Sequence, residues 1–184
     1  MTKGRAVYFN FQADINHDTA SKLISAIETK LQQGMTELVL LISSGGGFID
    51  PGMAVYNFLR GIPAKVTTHN YGTVDSIAMV IYCAGKERLA CPHCKFLIHG
   101  VTWTFSQAGV CTESQLREIL GSLEKMKKNI ASVIAVATGK PADKIEADMS
   151  RGLTLQANEA REYGLVHRLE ETLFLPGAEV IGIR

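Results

Sequence analysis

The chain has 184 residues, 46% of them apolar, and its 19 basic and 18 acidic residues leave a net charge of +1. This length predicts a single domain over residues 1–184, with room for a layered core of sheet and helices. The balanced charge argues against nucleic acid or an anionic membrane surface as a partner. The N-terminus lacks the apolar run of a signal peptide, and no stretch reaches the roughly 18 apolar residues of a membrane span. We therefore expect a cytoplasmic protein that acts on a small or peptidic substrate.

Strands and helices alternate through the first half of the chain. Apolar runs and helical periodicity predict strands over 6–11, 38–42 and 65–69, a helix that ends near Gly34, and a helix that starts at Asp50 and Pro51 and ends at Gly61. The run 38–42 is continuously apolar, which is typical of a strand covered on both faces. Strand, helix and strand in this order indicate an α/β fold with parallel crossovers.

The second half predicts a further strand-rich unit and then mainly helices. Up to residue 105 we expect a turn over 71–75, a helix over 76–84, strands near Arg88 and over 95–99, and a strand or ribbon over 101–105. A long helix follows, from the capping box of Thr112 and Gln115 to Gly139. The last expected elements are a short helix to about 150, a turn at 151–152, a helix ending at Gly164 and a strand over 165–169.

A glycine run, a serine and a histidine each follow a predicted strand, and none of them alone indicates a function. The glycines Gly45, Gly46 and Gly47 are by themselves an ordinary tight turn, Ser76 an ordinary helix cap, and His99 an ordinary strand-end histidine. Parallel strands of an open α/β sheet place such residues at one edge, where ligands bind. A hydroxyl, a base within reach and N–H donors for an oxyanion are the parts of nucleophilic catalysis. Together the three features predict a serine hydrolase.

Four segments carry a family resemblance, and their order is preserved from about Val7 to Leu169: SSGGGFIDPGMAVYNFL, YGTVDSIAM, KFLIHG and ANEAREYGLV. The chain resembles the proteolytic subunit of the Clp protease, in the superfamily shared with crotonases. The resemblance implies a spiral of repeated β-β-α units with a projecting handle helix. It implies that Ser76 is the nucleophile, His99 the general base, and Gly47 and Ile77 the amide donors of the oxyanion hole.

The sequence departs from this family at the third triad residue. The family's aspartate aligns with Gly152, which has no side chain. Asp148, four residues earlier, is an alternative orienting group, although it matches a different position of the family pattern. Asp75 stands where the family has a small residue, and because it adjoins Ser76 its side chain is expected to face away and to pair locally.

The resemblance also concerns assembly. The region of about 101–138 resembles the handle that joins two rings, and Trp103 and Phe105 are expected to be exposed on a lone domain, which favours a homo-oligomeric ring. Only about six residues precede the first strand, where the family has axial loops that contact an ATPase ring. This difference counts against an AAA+ ATPase partner.

The segment Cys91-Pro92-His93-Cys94 invites a zinc assignment, but one CxxC with one histidine lacks the second ligand pair. We expect a turn there, and neither a metal nor a cofactor. The leading hypothesis is a serine peptidase that acts on peptides or unfolded proteins. A non-catalytic structural subunit of a ring is the rival, favoured by Gly152. Crotonase-like acyl-CoA chemistry is a third alternative, against which the Ser76 and His99 pair argues.

Overall fold

The computed structural model describes residues 6–104 and 110–184. Within these ranges the chain forms eight strands and six helices. In chain order they are β1 (Ala6–Phe11), α1 (His17–Gln32), β2 (Glu37–Ser44), α2 (Ile49–Gly61), β3 (Lys65–Asp75), α3 (Ala78–Tyr82), β4 (Glu87–Ala90), β5 (Lys95–Ile98), α4 (Glu113–Thr138), α5 (Ala142–Arg151), β6 (Leu153–Gln156), α6 (Ala157–Tyr163), β7 (Arg168–Leu169) and β8 (Glu179–Ile183). No helix of the described ranges is long and apolar enough to cross a membrane.

The strands form one mixed sheet, which confirms the α/β class. The order along the sheet is β6-β5-β3-β2-β1-β8, while β4 pairs with β3 and with β7. Every pairing is parallel except that of β5 with β6. β4 and β5 both lie along β3, one against its first half and the other against its last residues. The ends of β2, β3 and β5 therefore lie next to one another.

The apolar residues of β2 and α1 are buried, which explains why these segments form a central strand and a helix packed on the core. In β2, Leu38, Leu40 and Ile42 are fully buried and Leu41 is 1% exposed, as expected of a strand covered on both faces. Helix α1 buries its apolar stripe through Leu23 and Ile27 and begins with a reciprocal capping box between Asn16 and Thr19.

β3 is longer than the sequence indicated. The predicted turn over 71–75 is wrong, because the chain stays extended as far as Asp75. The turn signal at Gly72 has a different meaning: the β2–β3 register shifts between the pairs Ile42–Asn70 and Ser44–Val74, so β3 bulges there. A Cβ at Gly72 would lie 2.5 Å from Ser43 Oγ, which explains the glycine at this close approach.

Several other element predictions were also inaccurate. The helix predicted over 76–84 is only Ala78–Tyr82, and helix α2 begins at Ile49 with Phe48 as its N-cap, so Asp50 lies in the first turn rather than at the cap. Residues 101–104 form no strand, and Phe105 lies outside the described residues. β6 lies between the turn predicted at 151–152 and the following helix and was not predicted, nor was β8, and the strand predicted over 165–169 is reduced to two residues.

Helix α4 follows its prediction closely. Thr112 and Gln115 form the expected capping box, and the helix ends at Gly139, which has a φ of 72°. Only the second half packs on the core, through Ile130, Ala131 and Ile134. In the first half Leu116 and Leu120 are 49% and 57% exposed.

Candidate active site

A cavity of about 610 Å³ opens at the ends of β2, β3 and β5. Gly47, Ser76 and His99 all line it. The glycine turn follows β2, Ser76 follows β3 and His99 follows β5, so the parallel strands bring together residues that are widely separated in sequence. This arrangement confirms the expectation that the glycine turn, Ser76 and His99 lie at one edge of the sheet.

Ser76 occupies a sharp turn between β3 and α3. Its φ of 58° is the only positive φ of a non-glycine residue within the described ranges. Its N–H donates to Leu97 O at 3.0 Å, which fixes the turn against β5. A non-glycine residue in the left-handed region is strained by about 1–3 kcal/mol, and such strain clusters at functional sites. The same strand-to-helix geometry presents the nucleophile in α/β-hydrolases.

The glycine turn lies directly against Ser76. A Cβ at Gly46 would stand 2.7 Å from Ser76 Cβ and 2.9 Å from Asp75 O, so only glycine allows this approach. Gly47 has a φ of 144°, and a Cβ there would lie 2.1 Å from Ile15 O. Phe48 N–H donates to that same carbonyl at 2.8 Å, which anchors the turn to the start of α1.

The amides of Gly47 and Ile77 donate to no acceptor in the part of the chain that the structure describes. Ile77 precedes α3, and the first amides of a helix have no partner within the helix. Ile77 is buried, and buried N–H groups without an acceptor are rare in proteins. Gly47 is exposed and lines the cavity, and Ile77 directly follows Ser76.

His99 directly follows β5, at the point where the ladder to β6 ends in the pair Ile98–Leu153. Its ring lines the cavity. Among the described residues, neither Ser76 Oγ nor any other side chain forms a hydrogen bond with the ring, although catalytic hydrogen bonds often tighten only when substrate binds. His99 and Ser76 thus line the same cavity, but no side chain of the described residues fixes the orientation of the His99 ring.

The remaining walls of the cavity are mainly apolar. Phe48 is 64% exposed beside the glycine turn, and Trp103 is 46% exposed, as predicted from the sequence. Helix α4 adds Met126 and Ile130. Sequence reasoning missed the contribution of Phe48 and α4, because nothing in their local pattern shows that α4 packs over the ends of the strands.

Comparison with known proteins identifies the family. A sequence model of the Clp protease family matches residues 2–172. The ATP-dependent Clp protease proteolytic subunit 3 of Rhizobium johnstonii is 32% identical over 169 residues, which cover 91% of this chain and 84% of the relative. Subunit 2 of Borreliella burgdorferi is 34% identical over 139 residues, covering 74% and 68% of the two chains. The chain belongs to the Clp protease family.

The fold agrees with that assignment. A mutant of ClpP1 from Listeria monocytogenes superposes with a TM-score of 0.78 at 25% identity, covering 91% of this chain and 92% of that chain. The resemblance seen in the sequence motifs is thus confirmed at the level of family and fold. The chain is a Clp-type serine peptidase.

Gly152 is the residue that the sequence resemblance aligns with the family's triad aspartate. It caps helix α5 with a φ of 71°, and its N–H donates to Met149 O at 3.3 Å. Because Ile98 pairs with Leu153 in an antiparallel ladder, Gly152 lies beside His99. A Cβ at Gly152 would meet no atom within 4 Å. The space for a side chain next to His99 exists, but no side chain fills it.

Asp148 does not take over this role in the structure. Its carboxylate is completely buried and accepts hydrogen bonds from Lys144 Nζ at 2.6 and 2.9 Å, from Tyr163 Oη at 2.7 Å and from Arg151. Burial by itself would raise the pKa of Asp148, but the bonds from Lys144 and Tyr163 and the charge of Arg151 hold that pKa below its ordinary value. The carboxylate ties α5 to α6 instead of orienting His99.

Asp75 behaves as the sequence predicted. Its side chain faces away from the core face on which Val74 is fully buried, and it pairs with Lys95 Nζ at 2.9 Å. Asp75 Oδ2 receives this bond, whereas Oδ1 is buried without a hydrogen-bond partner.

The cysteine pair forms a turn, as expected. Cys94 N–H donates to Cys91 O at 3.2 Å, and all four cysteines are free thiols. Burial raises the pKa of Cys94 to about 12, which leaves it a poor metal ligand at neutral pH. Within 6–104 and 110–184 no group of three or more potential ligand side chains could hold a metal ion. That the protein binds no metal stays a prediction, which elemental analysis would test.

Proposed function

We propose that this Clp-type peptidase hydrolyses peptide bonds with Ser76 as nucleophile and His99 as general base. The amides of Gly47 and Ile77 form the oxyanion hole. The observation that carries the proposal is the left-handed Ser76 at a mainly apolar cavity that Gly47 and His99 also line, with the amides of Gly47 and Ile77 donating to no acceptor among the described residues. The apolar walls suit a peptide or an unfolded protein segment as substrate.

The reaction proceeds in two halves. Ser76 Oγ attacks the carbonyl carbon of the substrate while His99 accepts the hydroxyl proton, and the carbonyl oxygen takes up the negative charge between the two amides. His99 then gives the proton to the leaving amine as the C–N bond breaks, which leaves an acyl-enzyme. A water molecule, deprotonated by His99, attacks the acyl carbon, and Ser76 regains its proton when the acid is released.

The lack of a carboxylate at Gly152 lowers the rate that we expect for this reaction. A triad carboxylate holds the imidazole in the useful tautomer and stabilises the imidazolium, and losing it costs on the order of 10⁴ in rate. Here His99 has no such partner in the described part of the chain, so we expect slow basal hydrolysis.

The assembly belongs to the same proposal. We expect residues 1–184 to form one domain and the region of about 101–138 to act as a handle in a homo-oligomeric ring. Exposed Trp103, Leu116 and Leu120 support an interface there. We place the protein in the cytoplasm. A monomer by light scattering at micromolar concentration would contradict the ring.

A second candidate function is that of a non-catalytic structural subunit of such a ring. The absence of a side chain at Gly152 and of a hydrogen-bond partner for His99 among the described residues favours it. Crotonase-like acyl-CoA chemistry has weaker support, because it would leave the strained Ser76 and the adjacent His99 without a role.

A fluorophosphonate probe separates these candidates, since only an activated serine reacts with it. We expect covalent labelling at Ser76, found by peptide mass spectrometry and lost in Ser76→Ala and in His99→Ala. A wild-type protein that never labels, although it is folded and assembled, is the structural subunit.

A further inference from the structure

We propose that the ion pair between Asp75 and Lys95 is a clamp that positions Ser76 relative to His99. The inference rests on the proposed function, because it assigns a positioning role within the Ser76 and His99 mechanism. Asp75 immediately precedes the nucleophile on β3, and Lys95 is the first residue of β5, the strand that leads to the base.

The backbone arrangement shows what this clamp connects. Thr73 pairs with Lys95 and Asp75 pairs with Leu97, so the carboxylate reaches diagonally across the ladder to Lys95. In the described part of the chain it is the only ion pair that joins β3 to β5. Only three residue pairs form this ladder, and Ser76 and His99 lie directly beyond its end. Two further hydrogen bonds join the same strands, from Asn70 Nδ2 to Lys95 O at 2.9 Å and from Ser76 N–H to Leu97 O at 3.0 Å. Both end on backbone carbonyls, so the ion pair is the contact between β3 and β5 that involves a side chain from each strand.

The glycine turn meets the clamp at the same residue. An ideal Cβ at Gly46 would lie 2.9 Å from Asp75 O, so the backbone of residue 75 packs tightly against the turn that carries Gly47. A displacement of Asp75 would therefore move the nucleophile away from the base and also change its distance to the oxyanion donor.

Burial distinguishes this pair from an ordinary surface salt bridge. The Asp75 side chain is 12% exposed and the Lys95 side chain 47%. Asp75 Oδ1 is buried and has no hydrogen-bond partner among the described residues, so the carboxylate accepts through only one of its two oxygens. A buried carboxylate that is only partly satisfied is a poor way to stabilise a fold. A catalytic positioning role explains why an acid stands here better than a structural role does.

The test compares Lys95→Met, which removes the ion pair, with Lys95→Arg, which keeps it. We expect Lys95→Met to lower kcat and the rate of fluorophosphonate labelling by about tenfold with KM little changed, because small misplacements of reacting groups carry large rate penalties. Lys95→Arg should retain the wild-type rates. Lys95→Met should also lower the thermal midpoint, because it leaves the Asp75 carboxylate, only 12% exposed, without its ion-pair partner, so the rates are compared at a temperature where both variants are folded. Lys95→Arg should keep the wild-type midpoint.

Two further variants show whether Asp75 acts through Lys95. Asp75→Ala should slow the reaction as much as Lys95→Met does, and the double variant should be no slower than either single variant. Lys22→Met, which breaks the exposed pair of Lys22 with Asp18 on α1, is the matched control and should leave the rates unchanged.

The outcomes separate the clamp from the proposed function. If the wild type labels at Ser76 and the variants at 75 and 95 label equally fast, the clamp is wrong and the mechanism stands. The clamp is also wrong if Lys95→Arg lowers the rate and the thermal midpoint as much as Lys95→Met does. If the wild type does not label at all, the proposed function fails and the clamp fails with it.

Discussion

Ser76 is held in place by several independent contacts, whereas His99, at the same cavity, has no side-chain hydrogen bond to any residue that the structure describes. The serine side combines a hydrogen bond to Leu97 O, close packing against Gly46 and a left-handed φ that this packing enforces. The histidine side has β5, a ladder that ends one residue earlier, and Gly152 at the position expected to carry the orienting acid.

This difference teaches which parts of a catalytic site depend on the fold. The nucleophile turn and the oxyanion donors are made of backbone, so the Clp fold reproduces them whenever the glycines are kept. Orientation of the base depends on one side chain, and a single residue removes it without altering the backbone. The nucleophile can therefore be fully formed while the base is not.

The largest expected effect tests the serine side. Ser76→Ala should abolish hydrolysis, with a loss on the order of 10⁴ or more in kcat, because it removes the attacking oxygen. Ser76 Oγ has no hydrogen bond to a described residue, so the fold should remain. Hydrolysis of a fluorogenic peptide and the thermal midpoint measure the two effects. Unchanged turnover would exclude Ser76 as the nucleophile.

The next effect tests the oxyanion donor. A Cβ at Gly47 would lie 2.1 Å from Ile15 O, so Gly47→Ala must displace the turn and its amide. We expect a loss of about 10²–10³ in kcat, the usual effect of removing one oxyanion donor. Gly45→Ala is the matched control, because a Cβ at Gly45 meets no atom within 4 Å and Gly45 has no positive φ. If both variants keep wild-type rates, the turn is not part of the site.

The sequence predicted the serine side better than the histidine side and the cavity walls. Glycine runs and strand ends are local signals, and they located Gly47, Ser76 and His99 correctly at one sheet edge. The bulge at Gly72 was misread as a turn, because a glycine signals a close backbone approach without telling which kind. The partners of Asp148 and the packing of α4 over the cavity depend on tertiary contacts, which no local pattern contains.

A smaller effect of opposite sign tests the histidine side. Gly152→Asp should raise kcat by about tenfold or more, toward the roughly 10⁴ lost when a triad acid is removed, because the carboxylate can orient His99. The φ of 71° limits the gain, since aspartate there is strained by about 1 kcal/mol. Gly152→Asn carries the same backbone strain without the charge and should give no gain. Equal rates in the two variants would show that an acid at 152 does not reach His99.

The smallest effect on activity, with a separate effect on stability, concerns Asp148. Its pKa in the folded state lies below the unfolded value, so the stability it contributes is present above pH of about 4 and is lost as the pH falls through the folded pKa. Asp148→Asn should therefore lower the thermal midpoint at neutral pH by about 5 °C, which corresponds to roughly 2 kcal/mol for a chain of this size. The variant should also lose much of the acid dependence of the midpoint between about pH 5 and pH 2.

Activity in the same Asp148→Asn variant decides between the two roles of this residue. The Asp148 carboxylate already accepts hydrogen bonds from Lys144, Arg151 and Tyr163. We therefore expect kcat to change less than about threefold at a temperature where the variant is folded. Tyr163→Phe is the matched control, because it removes one of the same hydrogen bonds and keeps the charge. If Asp148→Asn abolishes hydrolysis while Tyr163→Phe does not, Asp148 reaches His99 in the working enzyme. The histidine side would then be complete, and the contrast with the serine side would disappear.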